Sequence, residues 1–210
     1  MKIAVLGATG QLGRECVQQC LDGGHDVRVL ARTPDRLDHE VRSRIDVVVG
    51  DGLDPAAVAA TVGDSDAVLF AIGVDKHSPE NLCTDVTAHI LAALPPGGSR
   101  LVWCGGGSTV IPNDVVTLGS RFVEGFARVF LGLRHRDKAH QWALLQDHLD
   151  IEWVGVRPLQ MRAGPRRGEY RMGYDRYSGL SKISFADCAD AMIGALTDDR
   201  WLHQAPIVQY

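Results

Sequence analysis

Short runs of consecutive apolar residues alternate along the chain with longer stretches whose apolar positions recur every three or four residues. The short runs are Lys2–Leu6, Asp26–Leu30, Ile45–Val49, Ala67–Phe70, Arg100–Cys104 and Glu152–Val156. They are too continuously apolar for half-buried alternation and predict parallel strands covered on both faces. Helical spacing marks Gln11–Leu21, Asp54–Thr61, Pro79–Leu94, a long region within Asp114–His148, and Phe185–Leu196. Asp54-Pro55 predicts a helix start, with a carboxylate cap and proline in the first turn. Gly23-Gly24 predicts the end of the first helix.

Strands alternating with helices imply an α/β fold, a single-domain Rossmann-type doubly wound parallel sheet with helices on both faces. No linker, repeat or low-complexity tract divides residues 1–210. Ligands of such sheets bind at the carboxyl ends of the strands. That expectation gathers Gly7 to Gly13, Arg32, Asp51, Ala71 to Gly73, Cys104 to Ser108, and Pro158 to Gln160 at one edge. A substrate rim is expected from about 105–135 and 157–182.

Gly7-Ala8-Thr9-Gly10-Gln11-Leu12-Gly13 joins the first strand directly to the first helix. Glycine permits a tight turn and close approach of a pyrophosphate, while the helix start aims unpaired N–H groups at the anion. The strand before, the helix after and a second strand ending about 20 residues on are the context this motif requires. A dinucleotide is therefore the expected ligand. Sites selective for NAD usually carry an acid after the second strand; Ala31-Arg32-Thr33 stands there instead, with Arg36 beyond. A guanidinium holds a 2′-phosphate bidentately and stacks on adenine, so NADP(H) is the expected cofactor.

Composition changes this picture little. The chain has 45% hydrophobic and 23% charged residues and a formal charge of −4, which gives no global reason to expect nucleic acid or an anionic membrane. Its five cysteines, Cys16, Cys20, Cys83, Cys104 and Cys188, are odd in number and contain no C-x-x-C, so reduced thiols are expected. No segment reads as a signal sequence or a membrane span, and a cytoplasmic location is expected. The eight histidines form no H-E-x-x-H pattern, and no metal site is expected.

Lys2-Ile3-Ala4-Val5-Leu6-Gly7-Ala8-Thr9-Gly10-Gln11 resembles the opening of the atypical short-chain dehydrogenases/reductases that share an NAD(P)H-binding domain. The likeness is strongest to the biliverdin reductase B and flavin reductase group. It continues through Val48-Val49-Gly50-Asp51, Asp66-Ala67-Val68, Gly73 with Ser78-Pro79, Ile183-Ser184 with Asp187, and the final Gln209-Tyr210. It is specific over the first 95 residues and loose between Cys104 and His148. The resemblance implies an NADPH-dependent reductase of a planar conjugated acceptor, a flavin or a linear tetrapyrrole, with flavin as substrate rather than bound cofactor. It implies that Asp51 and Gly52 lie near adenine, that Ala71, Ile72 and Gly73 line the ribose side, and that Pro158, Leu159 and Gln160 approach the nicotinamide, with Cys104 and Gly105 alongside. It also implies a monomer.

Two departures stand out. The Tyr-x-x-x-Lys of ordinary short-chain dehydrogenases is replaced by Arg134-His135-Arg136-Asp137-Lys138, and the usual serine after the fifth strand by Cys104-Gly105-Gly106-Gly107, with Ser108 and Thr109 beyond. A carbonyl reductase needs an acid for the developing alkoxide, and no tyrosine occupies its place. A flavin delocalises charge and can take its proton from water. Ser108, Lys138 and His140 are the catalytic candidates, with His135 weighed beside His140. Ser108 reads equally as a turn cap, and the histidines as solvated helix residues. Gly105–Gly107 reads either as room for a flat ligand or as a plain turn.

Residues 157–182 carry seven basic side chains, Arg157, Arg162, Arg166, Arg167, Arg171, Arg176 and Lys182, against Glu169 and Asp175. This excess reads as an electropositive funnel for an anionic small-molecule acceptor, or as a loop paired with the acidic body. Leu118, Phe122, Phe126, Val129, Phe130 and Leu133 form an apolar stripe whose usual meaning is core, with a lid or a protein contact face as alternatives. The leading expectation is an NADPH-dependent reductase. The competing one is a non-catalytic NADP(H)-binding redox sensor of the NmrA-like kind. A sugar epimerase remnant fits less well, since the tyrosine and the larger substrate domain are missing.

Overall fold

The structure is a computed structural model that describes residues 1–75, 77–130, 132–174 and 181–210, without the side chains of Leu133 and Arg134. The elements run β1 (Lys2–Leu6), α1 (Gln11–Asp22), β2 (Asp26–Ala31), α2 (His39–Arg42), β3 (Asp46–Val49), α3 (Pro55–Val62), β4 (Ala67–Phe70), α4 (Leu82–Ala93) and β5 (Arg100–Cys104). They continue with α5 (Leu118–Phe130), α6 (Gly132–Gln146), β6 (Trp153–Pro158), β7 (Met161–Arg162), β8 (Arg171–Gly173), β9 (Ile183–Ser184), α7 (Phe185–Gly194) and β10 (Ile207–Gln209). All six anticipated strands are present. The long helical region is two helices, broken around Gly132, whose φ is +34°.

Strand order in the main sheet is β3-β2-β1-β4-β5-β6-β10-β8. Every pairing is parallel except that of β10 with the edge strand β8. Alternation along each strand splits the core in two. Ile3, Val5 and Leu69 face α1 and α7, while Ala4, Leu6 and Phe70 face α3, α4 and α6. Both faces are thus apolar, which is why these strands read as unbroken runs. The predicted stops and starts have physical partners. Gly24 sits at φ +72° while the His25 N–H donates to the Cys20 carbonyl at 3.0 Å. Asp54 accepts the Ala56 N–H at 2.9 Å.

Two interactions far apart in sequence hold the right half of the sheet. Arg157, predicted as part of a solvent-facing rim, is instead buried with 1% exposure and enters an ion pair with Asp114. Its guanidinium also donates to the carbonyls of Ala205 and Thr109, each at 2.6 Å. The arginine lies on the last central strand, where the sheet is covered on both sides, so its charge must be met internally. It ties the loop after β5 to β6 and β10.

The second is a clasp at the chain's far end. Asp187, on α7, accepts the Tyr210 hydroxyl at 2.6 Å, the Ser184 hydroxyl at 3.0 Å, and the N–H groups of Arg167 and Gly168 at 2.7 and 2.9 Å. Burial pushes its carboxyl up, but the Tyr210 hydroxyl, the two N–H groups and the Ser184 hydroxyl outweigh burial and leave it below the ordinary value. This carboxylate fixes β9 beside β7 and anchors the 163–170 segment.

Replacing Asp114 by alanine strands a buried guanidinium and should cost roughly 3–5 kcal/mol in urea unfolding, whereas Asp114→Leu with Arg157→Met should recover most of that loss. For Asp187, the depressed carboxyl contributes stability that is fully present above the unfolded value of about 3.9 and is lost as pH falls through the folded value. Wild type should therefore lose its advantage over Asp187→Asn as urea midpoints are measured from pH 7 down to pH 3.

Candidate functional site

The chain runs outward from β1 through β2 to β3, then returns to β4 on the other side of β1, so the sheet's switch point lies between β1 and β4. The Gly7–Gly13 turn occupies it. Gly7 has φ +91°, and a Cβ there would lie 2.7 Å from the Ala71 carbonyl carbon. A Cβ on Gly13 would lie 2.1 Å from the Gly7 oxygen. Only hydrogen fits at either place, so the turn presses against the ends of β1 and β4. Gly10 stands at the N-cap of α1, where no side chain caps the helix and no acid occupies the first turn. Helix starts of this kind are suited to anions. Thr9 is half-buried, Gln11 exposed, and Leu12 buried under the turn.

The anticipated adenosine residues gather on one side of that turn. Arg32, at the end of β2, is 75% exposed and lies 3.6 Å from the Asp51 carboxylate, itself 44% exposed, beyond β3. Asp51 also accepts the Leu53 N–H at 3.0 Å, which shapes the turn into α3. Gly52 sits against Val86 of α4, and its carbonyl meets the His89 ring at 3.0 Å. Arg36 is exposed, and its carbonyl accepts from Arg14 at 2.6 Å. Ala71 is buried behind Gly7, Ile72 packs into the core, and Gly73 is exposed.

Across β4 lies a cleft of about 190 Å3, lined by Gly105 to Ser108, His135, Lys138, Pro158, Leu159 and Met161. Pro158 and Leu159 thus meet the glycine run, whereas Gln160 is exposed and lies outside that lining. Gly105 and Gly107 have a packing reason rather than an open space around them. A Cβ on Gly105 would strike Trp103 and Arg157 at 2.7 and 2.8 Å, and one on Gly107 would strike Leu159 at 2.7 Å. Gly107 also donates to the Pro158 carbonyl at 3.0 Å, closing the loop onto the end of β6. Cys104 turns its thiol into the core beside Cys188 and contributes its carbonyl instead.

That carbonyl accepts the Lys138 ammonium at 2.8 Å, and Gln141 Oε1 accepts it at 3.1 Å. The same ammonium lies 5.1 Å from the Phe70 ring centre. Ser108 Oγ is 3.4 Å from His135 Nδ1. The phase of α6 distinguishes the two histidines: His135 is three residues from Lys138 and shares its face, while His140 is two away and exposed. His140 is therefore not part of the cleft, and spacing from Lys138 was the signal that could have excluded it. The buried Asp137 sets this phase by accepting the N–H groups of Cys83 and Thr84 at 2.8 and 3.0 Å, capping α4 from α6.

Among the described residues, three arginines of the basic stretch turn to partners other than the cleft. Arg166 pairs with Asp190, while Arg167 lies over Tyr210 and Arg171 donates to the Tyr210 carbonyl, around a separate hollow of about 420 Å3. Arg162 and Lys182 are exposed, and Arg176 with Asp175 lies outside the described residues. The stripe on α5 is not core either. Leu118, Phe122, Val129 and Phe130 are 88, 75, 75 and 70% exposed, and only Ser120 and Ala127 of that helix are buried. The Leu133 side chain lies outside the described set. All five cysteines are buried free thiols, and the described residues contain no cluster of three or more histidine, cysteine or acidic ligands that could hold a metal. No described helix is long and apolar enough to cross a membrane.

The same architecture recurs among known proteins. An uncharacterised protein of Bacillus subtilis, YwnB, is 25% identical over 203 residues, covering 93% of this chain and 92% of its own. A candidate NADH-flavin reductase of Streptococcus pneumoniae superposes with a TM-score of 0.78 at 21% identity, over 100% of this chain and 99% of its own. ChuY, an anaerobillin reductase of Escherichia coli O157:H7, does so with a TM-score of 0.79 at 18% identity, over 100% and 97%. At those identities the two structures share the fold. Residues 7–199 match the family model described as NAD(P)H-binding, from the first glycine of the turn to beyond α7, and the chain belongs to that NAD(P)H-binding family.

Proposed function

We propose that this protein is an NADPH-dependent reductase of a planar conjugated small molecule of the flavin or linear tetrapyrrole class. The observation that carries the reading is the placement of Arg32 beside the Gly7–Gly13 turn, with an open cleft on the other side of β4. The residues fit the dinucleotide. Gly7 and Gly13, where a Cβ would strike backbone, let the turn lie close enough to β1 and β4 for a pyrophosphate to reach the uncapped start of α1. Arg32 and Asp51 would flank the adenosine ribose. Their pair is exposed and worth little in water, so Arg32 can leave Asp51 for a 2′-phosphate at small cost. When bound, NADPH supplies the hydride.

The cleft is smaller than the roughly 300–1,000 Å3 of most ligand pockets, so it suits the reacting edge of a flat ring whose remainder lies outside. Leu159 and Met161 give it apolar contact, and Ser108 and His135 give it polar contact. The names of the two structures with this fold, a candidate NADH-flavin reductase and an anaerobillin reductase, support the acceptor class.

The exposed apolar face of α5 favours a second reading, an NADP(H)-binding regulator that docks on another protein. Mixing the protein with NADPH and a panel of flavins, bilins and quinones while following cofactor absorbance separates the two. Turnover supports the reductase; tight NADPH binding without turnover of any acceptor supports the regulator.

Arg32→Ala should weaken NADPH binding by about 10- to 100-fold, as expected for a lost charge-assisted contact of roughly 1.5–3 kcal/mol, and leave NADH binding nearly unchanged. Fluorescence titration of both dinucleotides measures this. In the same titration Gly13→Ala should abolish binding of both, because its methyl group cannot pass the Gly7 carbonyl.

A further inference from the structure

We propose that Ser108 and His135 form the proton-delivery pair of the cleft, in a chain where Arg134 and Lys138 occupy the Tyr-x-x-x-Lys positions. This rests on the reductase reading and adds the group that completes its chemistry. Three side chains on the cleft wall carry a dissociable proton: Ser108, His135 and Lys138. Lys138 is committed elsewhere. Its ammonium donates to the Cys104 carbonyl and to Gln141 and packs against the Phe70 ring, so it braces the end of β5. That leaves the hydroxyl and the imidazole, 3.4 Å apart and held by different elements, the loop after β5 and helix α6.

Both are held in place from behind. The Arg157–Asp114 pair and the Thr109 carbonyl pin the far end of the serine's loop, and Asp137 locks α6 against α4 two residues from His135. The ring is half-buried. Burial is the largest influence on it and lowers its proton affinity; Arg128 on α5 acts in the same direction, and Glu124 on α5 opposes them. On its own helix, Lys138 faces the same cleft, Asp137 is turned to α4, and Arg136 reaches out toward Glu80. An imidazolium in this setting gives up its proton readily, and its exposed part can recover one from water.

Bound NADPH would supply the hydride and both electrons, so that one ring oxygen or nitrogen of the acceptor would be left needing a proton. The Ser108 hydroxyl gives its proton to that atom, and His135 Nδ1 replaces the serine's proton. The oxidised nicotinamide, the reduced acceptor and a neutral imidazole remain, and water reprotonates the ring.

The test uses the full chain, NADPH and whichever of riboflavin 5′-phosphate, biliverdin and menadione the wild type reduces fastest. His135→Asn and Ser108→Ala should each lower kcat by at least about 100-fold, the usual scale of general acid catalysis. Ser108→Thr, which keeps the hydroxyl, should restore most of it. NADPH affinity, read by fluorescence, should stay within about twofold in all three. The wild-type rate should fall as pH rises through the His135 titration followed by NMR, that midpoint should lie below the ordinary histidine value of about 6.5, and Ser108→Ala should move it. The rate's pH dependence should vanish in His135→Asn. Retained kcat and an unchanged pH profile in His135→Asn would overturn the proposal while leaving the reductase intact. Absence of wild-type turnover with NADPH still bound would overturn both.

Discussion

The ligand-facing edge of this molecule depends on how closely one turn can press against two strand ends. Gly7 and Gly13 let the backbone between β1 and α1 lie against Ala71 and itself at distances that exclude even a methyl group. That contact brings the start of α1 to the switch point of the sheet, where neighbouring crossovers diverge and leave a crevice. Were the turn even one carbon thicker, α1 would lift from β1 and its N–H groups would point past a pyrophosphate. The sequence spacing of Arg32 and Asp51 matters only because this turn sets where the dinucleotide's phosphates lie.

The other half of the site is built by buried charge. Arg157 and Asp114 fasten the loop after β5, Asp137 fastens α6 to α4, and Asp187 fastens the segment before β8 to α7 and Tyr210. Each carboxylate accepts from several donors, the condition under which a buried charge holds a unique geometry rather than loosening it. Together they place the glycine run, Ser108, His135 and Met161 around one cleft. Loop residues positioned by a rigid frame are the usual vehicle of function in such folds.

Two readings that the sequence left open narrowed for related reasons. The arginine-rich stretch looked like a funnel because charge counts ignore direction. Arg157 lies on a strand and points into the protein, Arg166 turns to Asp190, and Arg167 and Arg171 turn to Tyr210. The α5 stripe looked like core because helical periodicity shows that one face is apolar without showing what covers it. In the chain that face is open, and the helix buries Ser120 and Ala127 instead.

The six central strands, the helices between them other than the single-turn α2, the Asp54 and Gly24 boundaries and the glycine turn were legible from sequence, because each is set by local periodicity or by a backbone conformation that few residues allow. The short pairings β7 with β9 and β8 with β10 were not, since two or three residues carry no period and are specified by the partner strand. The same limit governed the cleft. Sequence named Ser108, Lys138 and Pro158 as its members, and only the packing of α6 against α4 decided that His135 faces Ser108 while His140 faces solvent. Backbone preference acts over a few residues and is written locally. Which side chains meet across the cleft is decided by contacts between residues dozens of positions apart, and those exist only once the sheet has assembled.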